Sequence, residues 1–207
     1  MKILTLPIGQ MTTNCYLIIA ENNECLIIDP GDDADYIERI IADNNARPLK
    51  IIATHGHFDH IMAVTELKLA YNIPFLINQK DDFLVKNMVQ SAAHFLGIKT
   101  DPPPIPNAYL KDKEIIKAGG HEIRIIATPG HTPGSICLYI PQEKTLFTGD
   151  NLFAQGGQGR TDFSYSKPAE LQKSLKLIFS LPEETIIRPG HGEESTLAQE
   201  KRFHFAS

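Results

Sequence analysis

Four apolar segments of this chain each end in a glycine-containing turn that carries histidine or aspartate. A glycine lets the backbone turn sharply, so the polar side chain of the turn stands at the end of a predicted strand. Four such turns must face one rim if their side chains are to act together, and this requirement restricts the fold more than any other feature. The segments with their turns are residues 51–60, 125–131, 146–150 and 186–191.

The first turn is the richest in metal-ligand types and reads T-H-G-H-F-D-H at residues 54–60. Imidazole nitrogens and carboxylate oxygens bind zinc at about 2.0–2.2 Å. Four such side chains on one short loop rarely serve an apolar core, so the turn is interpreted as a ligand loop. A solvated polar loop is the alternative, and the three later turns argue against it. The candidate ligands are His55, His57, Asp59, His60, His131, Asp150 and His191.

Hydrophobic periodicity predicts strands and a few helices in each half of the chain. This order indicates helices packed outside a pair of sheets. Residues 101–106, D-P-P-P-I-P, form a stiff connector without the capacity for a helix or a central strand. Ser166 and Pro168 are expected to begin the last helix. The predicted strands are 3–8, 15–19, 25–28, 50–53, 74–77, 114–117, 122–127, 135–140, 144–148 and 185–187. Four helices are predicted: one that begins near Asp32, and three that cover 61–71, 81–96 and 167–179.

The composition limits the possible partners. The 207 residues carry a formal charge of −5 with scattered basic residues, which argues against nucleic acid as a partner. No segment reaches the roughly 18–20 apolar residues of a membrane helix, and the N-terminus lacks the apolar stretch of a signal peptide. A cytoplasmic protein with no membrane partner is therefore expected. Its three cysteines lie in separate apolar runs and are predicted to be buried thiols: Cys15, Cys25 and Cys137.

The four turns resemble the ligand motifs of the metallo-β-lactamase superfamily, in the same order along the chain. T-H-G-H-F-D-H resembles the signature H-x-H-x-D-H, and T-P-G-H-T-P-G-S, L-F-T-G-D and P-G-H-G resemble the remaining motifs. The similarity runs from Ile3 to about Lys201. It implies an α+β fold, a four-layer αββα sandwich of two mixed sheets with outer helices, and a single metallo-β-lactamase-like domain over residues 1–207.

The resemblance also implies a dinuclear metal site at one edge of the two sheets. Two divalent ions are expected. Zinc is the expected metal, and iron and manganese are the alternatives. The true β-lactamases usually carry cysteine at the position of Asp150. Aspartate there, with G-R-T-D at residues 159–162, makes the chain similar to the short glyoxalase-II-like hydrolases. The implied ligands are His55, His57 and His131 for the first metal and Asp59, His60 and His191 for the second, with Asp150 as the bridge.

Similarity to these hydrolases implies a metal-dependent thioesterase. The expected substrate is a small thioester such as hydroxyacylglutathione, cleaved by attack of a hydroxide that bridges the two metals. Asp59 is expected to take up the proton left by that hydroxide, and a role as ligand alone is the alternative. Full-length glyoxalase II continues into a helical glutathione-binding domain. Only residues 192–207 follow His191 here, so that domain is expected to be absent.

Side chains outside the ligand set are further candidates. Arg160 follows the glycine-rich G-G-Q-G and is predicted to bind a substrate carboxylate, with an internal ion pair to Asp162 or Asp29 as the alternative. Asp29, at the end of an apolar run, is predicted to orient a histidine. Three histidines outside the motifs are expected on a helix surface, on a turn and in a disordered tail, in the order His94, His121 and His204.

Three other functions remain as alternatives. The persulfide dioxygenases of the same superfamily resemble the chain in the G-R-T-D stretch and use one iron, which His55, His131 and Asp150 would hold. A non-catalytic metal-stabilised module is disfavoured because a structural zinc site closes with four ligands. The RNA-processing nucleases of the superfamily are disfavoured by the acidic charge. The sequence contains no signal for an oligomeric state.

Overall fold

Two six-stranded sheets form the centre of the computed structural model, which describes residues 1–205. The strands follow one another in chain order within each sheet, so the two halves of the chain build one sheet each. The first sheet contains β1 Lys2–Ile8, β2 Thr13–Ile19, β3 Glu24–Ile28, β4 Arg47–Ile52, β5 Phe75–Ile77 and β6 Ala108–Tyr109. The second contains β7 Ile115–Ala118, β8 His121–Ala127, β9 Ile136–Ile140, β10 Thr145–Gly149, β11 Ile186–Pro189 and β12 Ser195–Thr196.

Helices cover the outer face of each sheet. Four of them pack on the first sheet and two on the second, through apolar side chains at helical spacing. Within residues 1–205 they are α1 Ala34–Asp43, α2 Val64–Tyr71, α3 Asp82–Lys86, α4 Met88–Leu96, α5 Pro168–Ile178 and α6 Leu197–Phe205.

Both sheets are mixed. In the first sheet β1, β2 and β3 pair antiparallel, whereas β3 to β6 pair parallel. In the second sheet β10 and β11 are parallel, and the other neighbouring strands are antiparallel. The parallel strands β4, β10 and β11 all lead into ligand turns, so their carboxyl ends define the edge of the sandwich that carries the candidate site.

Apolar side chains fill three layers of contact. On β2, Leu17 packs toward the helices of the first sheet, and its neighbours Tyr16 and Ile18 face the second sheet. The middle layer also holds Phe147 of β10, and the third layer lies between the second sheet and α5 and α6. Strands buried on both faces read as continuous apolar runs. The expected four-layer αββα sandwich is confirmed.

Several details of the sequence-based assignment are wrong. The helix predicted over residues 81–96 is two helices, because Asn87 leaves the helical conformation between them. Ser166 does not cap α5: the residue before the helix is an extended Lys167, and the Ser166 hydroxyl donates to the carbonyl of His131 instead. His121 begins β8 rather than a turn. Its Nε2 lies 3.0 Å from Glu143 Oε1, a contact that no local pattern specifies.

The end of the described chain is ordered as a helix rather than a disordered tail. His204 belongs to α6, and its ring lies 5.1 Å from the ring of Phe179. The helix is fixed by tertiary contact, since Leu197 at its start is fully buried against the second sheet. As expected, the proline-rich connector has neither helix nor strand and His94 lies on the surface of α4. Within residues 1–205, every helix is too short or too polar to cross a lipid bilayer.

We expect Phe147→Ala to lower the free energy of unfolding by about 3–5 kcal/mol. The Phe147 ring is fully buried between the sheets and meets Tyr16 edge-on at 4.9 Å, so its removal leaves a cavity that the two sheets cannot close. Denaturant unfolding followed by circular dichroism measures the change. Leu177→Ala, on the half-exposed face of α5, is the control and is expected to change stability by about 0.5 kcal/mol or less. Equal losses in both variants would contradict this packing.

Candidate metal centre

The structure brings the seven candidate ligands together where the turns after β4, β8, β10 and β11 meet. The side chains form two groups, and within each group the potential ligand atoms lie within 4.8 Å of one another. All seven are buried or half-buried. The first group contains His55, His57, His131 and Asp150, and the second contains Asp59, His60 and His191.

Asp150 lies between the two groups. Its Oδ1 is 3.4 Å from Nε2 of His60, which belongs to the second group. Its Oδ2 is 3.6 Å from Nε2 of His131 in the first group and 3.7 Å from Nε2 of His191 in the second. One carboxylate therefore reaches both groups, which is the position that a bridging ligand requires. The assignment of Asp150 as the bridge stays a prediction.

Hydrogen bonds on the outer side of three imidazoles fix which nitrogen faces inward. Nδ1 of His60 lies 3.1 Å from Asp29 Oδ2, and Nδ1 of His131 lies 2.8 Å from the carbonyl of Arg160. Nδ1 of His191 lies 3.1 Å from the carbonyl of residue 11. Carbonyl and carboxylate oxygens only accept, so each Nδ1 carries the proton. Each ring then directs its Nε2 into the site, where that nitrogen can bind a metal once it carries no proton, as in metal centres with oriented histidines.

The other two imidazoles are oriented by hydroxyl groups. The Thr54 hydroxyl donates to Asp29 Oδ2 at 2.7 Å and can therefore accept from Nδ1 of His55 at 3.1 Å. Nε2 of His57 lies 2.8 Å from the Tyr165 hydroxyl, which leaves Nδ1 of His57 facing inward. Asp29 thus orients His60 directly and His55 through Thr54, as the sequence predicted for one histidine. The sequence did not identify Tyr165, because no pattern places it beside the histidine turn.

The inward-facing atoms fit divalent cations. Nδ1 of His57 is 3.0 Å from Nε2 of both His55 and His131, and the Nε2 atoms of His60 and His191 are 3.3 Å apart. Nitrogen lone pairs at these distances repel unless a proton or a cation lies between them. Oδ1 of Asp150 is buried without a hydrogen-bond partner. A set of five imidazoles and two carboxylates is the chemistry that zinc, iron or manganese binds.

Burial and charge set the protonation of these groups. Burial lowers the pKa of His55 well below its ordinary value and that of His57 to about 3, so both rings stay neutral and keep a lone pair for a metal. Burial also opposes charge on His60. The surrounding carboxylates, led by Asp150, outweigh burial and raise the pKa of His60 well above its ordinary value. A divalent ion must displace that proton, so metal binding weakens as the pH falls.

Asp81 joins two ligand turns and was missed by the sequence analysis. Its fully buried carboxylate accepts from the backbone N–H of Gly56 at 2.9 Å and of Gly134 at 2.6 Å. It also accepts from the Thr132 hydroxyl at 2.7 Å, beside the ligand His131. Burial raises the pKa of Asp81. In sequence, Asp81 reads as an acidic residue at a helix start, so only the fold reveals its partners.

The glycines of the ligand turns are needed for close approach as much as for turning. A Cβ on Gly190 would overlap Oδ1 of Asp150 and lie 2.7 Å from Cε1 of His60. A Cβ on Gly159 would overlap the carbonyl of Asp150 and lie 2.9 Å from Nδ1 of His131. The two glycines allow the backbone to pack directly against the candidate ligand side chains.

A cleft of about 360 Å³ opens over the two groups of ligands, and Arg160 stands at its rim. Nε and a terminal nitrogen of Arg160 donate to the two carboxylate oxygens of Asp162 at 2.7 and 2.6 Å. The guanidinium also lies 4.5 Å above the ring of Phe163. The internal ion pair with Asp162, one of the two alternatives left by the sequence, is therefore present. A role for Arg160 in substrate binding stays a prediction.

Comparisons with known proteins give one family along nearly the whole chain. The sequence profile of the Metallo-beta-lactamase superfamily matches residues 8–191. The hydroxyacylglutathione hydrolase GloC of Haemophilus influenzae is 35% identical over 205 residues, which cover 98% of this chain and 96% of GloC. The probable metallo-hydrolase YqgX of Bacillus subtilis is 33% identical, and the match covers 97% of this chain and 95% of YqgX.

Solved structures share the fold. The BLEG-1 B3 metallo-beta-lactamase has a TM-score of 0.90 at 32% identity, covering 97% of this chain and 96% of that one. TTHA1623, solved in a di-iron-bound form, has a TM-score of 0.88 at 34% identity, with 97% and 98% covered. ETHE1 from Myxococcus xanthus has a TM-score of 0.81 at 26% identity, with 99% and 84% covered.

We expect Asp150→Ala to lose more bound metal than His191→Ala. Asp150 reaches both groups of ligands, so its removal weakens two ions, whereas His191 belongs to one group. Metal analysis after equal dialysis should find about one ion per chain in His191→Ala and fewer in Asp150→Ala. Circular dichroism shows whether both variants are folded. Wild-type metal content in Asp150→Ala would show that this residue is not a bridge.

We expect Asp81→Asn to weaken metal binding about 10- to 100-fold. The new amide offers one oxygen and two N–H donors, so it cannot accept from all three donors that hold the two ligand turns. Competition with a chromophoric chelator measures the metal dissociation constant. Asp82→Asn is the matched control, because the neighbouring carboxylate binds the Tyr109 hydroxyl instead of a ligand turn. Equal affinity in both variants would remove Asp81 from the support of the site.

Proposed function

This chain belongs to the metallo-beta-lactamase superfamily, and on that basis we propose that it is a metal-dependent hydrolase that cleaves thioesters such as hydroxyacylglutathione. The observation that carries the proposal is the pair of ligand groups with the Asp150 carboxylate between them. The similarity to GloC over nearly the full length of both chains supports the choice of thioester.

Each ligand group has the donors to hold one divalent ion. Zinc is the proposed metal for both groups because it takes imidazole and carboxylate ligands in four-coordinate sites. Iron is the alternative, and the di-iron form of TTHA1623 supports it. Such ions supply a water molecule whose pKa is lowered to about 7, and they withdraw electrons from a carbonyl oxygen.

Asp59 is the residue proposed to receive the proton of the attacking water. It lines the cleft, and its Oδ2 lies 3.3 Å from Nε2 of His191 and accepts from the Thr13 hydroxyl at 3.2 Å. Burial raises the pKa of Asp59, but the charge of His60 and its neighbours outweighs burial and lowers it. Asp59 is therefore an ionised carboxylate in the resting site, with oxygen lone pairs that can take up a proton during turnover.

The cleft suits a leaving group that departs without a proton. Among the described residues that line it, Tyr165 and Arg160 are the titratable groups outside the ligand set. Burial raises the pKa of Tyr165 to about 12, and Asp162 raises that of Arg160, so neither is a strong general acid at neutral pH. A thiol has a pKa of about 8.5, so its sulfur can leave the carbonyl as a thiolate without a proton, whereas an amine has to be protonated as it leaves. This feature supports a thioester over an amide as the substrate.

A mononuclear iron persulfide dioxygenase is the second candidate. His55, His131 and Asp150 form a face of two histidines and one carboxylate, the arrangement of non-haem iron oxygenases. The G-R-T-D stretch and the shared fold with ETHE1 are compatible with this candidate. A single iron gives no role to the second ligand group, although hydrogen bonds orient its side chains as they orient those of the first group. The hydrolase accounts for both groups.

We expect the protein purified without added metal to hold about two ions per chain and to hydrolyse lactoylglutathione. A chelator should abolish hydrolysis, and added zinc should restore it, because water activation depends on the metals. Asp59→Asn should lower kcat about 10²- to 10⁴-fold in protein whose metal content is measured in parallel. Glu38→Gln, on the outer helix α1, is the control. One iron per chain with oxygen uptake on glutathione persulfide would favour the dioxygenase instead.

A further inference from the structure

Aromatic side chains are the largest group of side chains in the cleft wall above the two ligand groups. Outside the ligand set, the other lining residues are Met11, Gly56, Leu84, Ser91, Gln158, Gly159 and Arg160. The aromatic residues are Phe58, Phe95, Phe153, Phe163 and Tyr165.

These rings stand directly beside the ligands. The ring of Phe163 lies 5.4 Å from that of His57 and stacks on Tyr165 at 5.2 Å with an interplanar angle of 12°. The ring of Phe153 lies 6.2 Å from that of His191. The stacked pair of Phe163 and Tyr165 thus borders the first ligand group, and Phe153 borders the second.

A second stacked pair also lines the cleft. Phe58 sits in the chain between the ligands His57 and Asp59, and its ring stacks on Phe95 at 5.7 Å with an interplanar angle of 7°. Phe95 is half-exposed, so one face of this pair is open to the cleft and to solvent. Offset or parallel stacking with a further ring is favourable on such a surface.

Two orientations of a thioester place its carbonyl against the ligand groups. The first atom of the acyl substituent is only about 1.5 Å from the carbonyl carbon, so in one of these orientations the acyl substituent lies among the rings next to His57 and His191. The thiol carrier then lies on the other side of the carbonyl and extends toward the rim.

The distribution of charge in the cleft also favours an apolar acyl group. Among the described lining residues outside the ligand set, Arg160 is the charged one, and the two oxygens of Asp162 pair with the Nε edge of its guanidinium. An anionic acyl group buried here would find, outside the ligand set, a cation whose charge Asp162 already neutralises. A flat apolar group loses water at no such cost.

We propose that the aromatic wall selects the acyl group, and that the preferred substrates are thioesters with an aryl acyl group rather than small aliphatic ones. The inference rests on the proposed thioesterase function and names its substrate class. Each stacked aromatic contact changes binding about two- to tenfold. A thioester whose phenyl group contacts Phe163 and Phe95 should therefore have a kcat/KM at least about tenfold higher than a thioester with a methyl group at that position.

The test compares S-mandeloylglutathione with S-lactoylglutathione, which share thiol, carbonyl and α-hydroxyl and differ in phenyl against methyl. The readout is the ratio of their kcat/KM values in wild type, Phe163→Ala, Phe95→Ala and Phe163→Tyr. Comparison between variants removes the difference in intrinsic reactivity of the two esters. We expect the ratio to fall about two- to tenfold in each alanine variant and to persist in Phe163→Tyr. Tyr109→Ala, an exposed aromatic outside the cleft, should leave it unchanged.

Binding of unreactive thioethers gives a second readout that does not depend on turnover. Calorimetry with S-benzylglutathione and S-methylglutathione should show tighter binding of the benzyl compound to wild type and loss of that difference in Phe163→Ala. Hydrolysis of both thioesters with one ratio in all variants, and equal thioether binding, would overturn the inference and leave the thioesterase intact. If neither thioester is hydrolysed, the thioesterase fails, and the thioethers decide alone: benzyl preference supports the aryl site, and equal binding overturns it.

Discussion

Repulsion between ligand atoms at the edge of the two sheets is the constraint on which this structure depends. Imidazole nitrogens approach to 3.0 Å in the first group and 3.3 Å in the second, with two carboxylates beside them. Without a cation such a set favours separation or protonation, as the raised pKa of His60 indicates. The fold holds the atoms in place through hydrogen bonds on the outer side of every ring. The energy gained when metal binds is therefore coupled to the stability of the sandwich.

Three buried carboxylates that are not assigned as ligands hold the turns in position. Asp29, which follows β3, bonds to Thr54 and His60 in the turn after β4 and so links the ends of these two strands. The φ of Asp29 is 51°, which shows a strained backbone at this position. Asp81 ties the histidine turn to the turn of His131. Glu200 of α6 accepts from the N–H groups of residues 155 and 156, in the loop between Asp150 and Arg160. Charge-assisted bonds to backbone N–H groups are strong where water is excluded, so each loop has one fixed position.

The site therefore separates two tasks between two kinds of structure. The ligand turns are rigid, glycine-rich and packed to contact distance, so they offer little freedom to adapt to different substrates. Much of the cleft wall comes from side chains on α3, α4 and the loop after Asp150 that make no hydrogen bond to a candidate ligand, such as Leu84, Phe95 and Phe163. Such a division explains how proteins similar along nearly their whole length can carry names as different as hydroxyacylglutathione hydrolase and B3 metallo-beta-lactamase. In the function proposed above, the ligand turns supply the chemistry and the wall selects the acyl group.

The sequence by itself determined the superfamily, ten of the twelve strands, the layers and the set of candidate ligands. These features depend on local signals: apolar runs of strand length, and histidine or aspartate at fixed spacing from a glycine. The tertiary structure alone decided the break at Asn87, the helix that contains His204, and the partners of Asp81, Tyr165 and Glu200. Apart from the break at Asn87, each of these involves groups that are far apart in the chain, and a carboxylate such as Asp81 has the same local signature whether it faces solvent or joins two ligand turns. Distant groups meet only when the two sheets pack, because burial, rather than local preference, makes an unpaired polar group so unfavourable that it must find a partner.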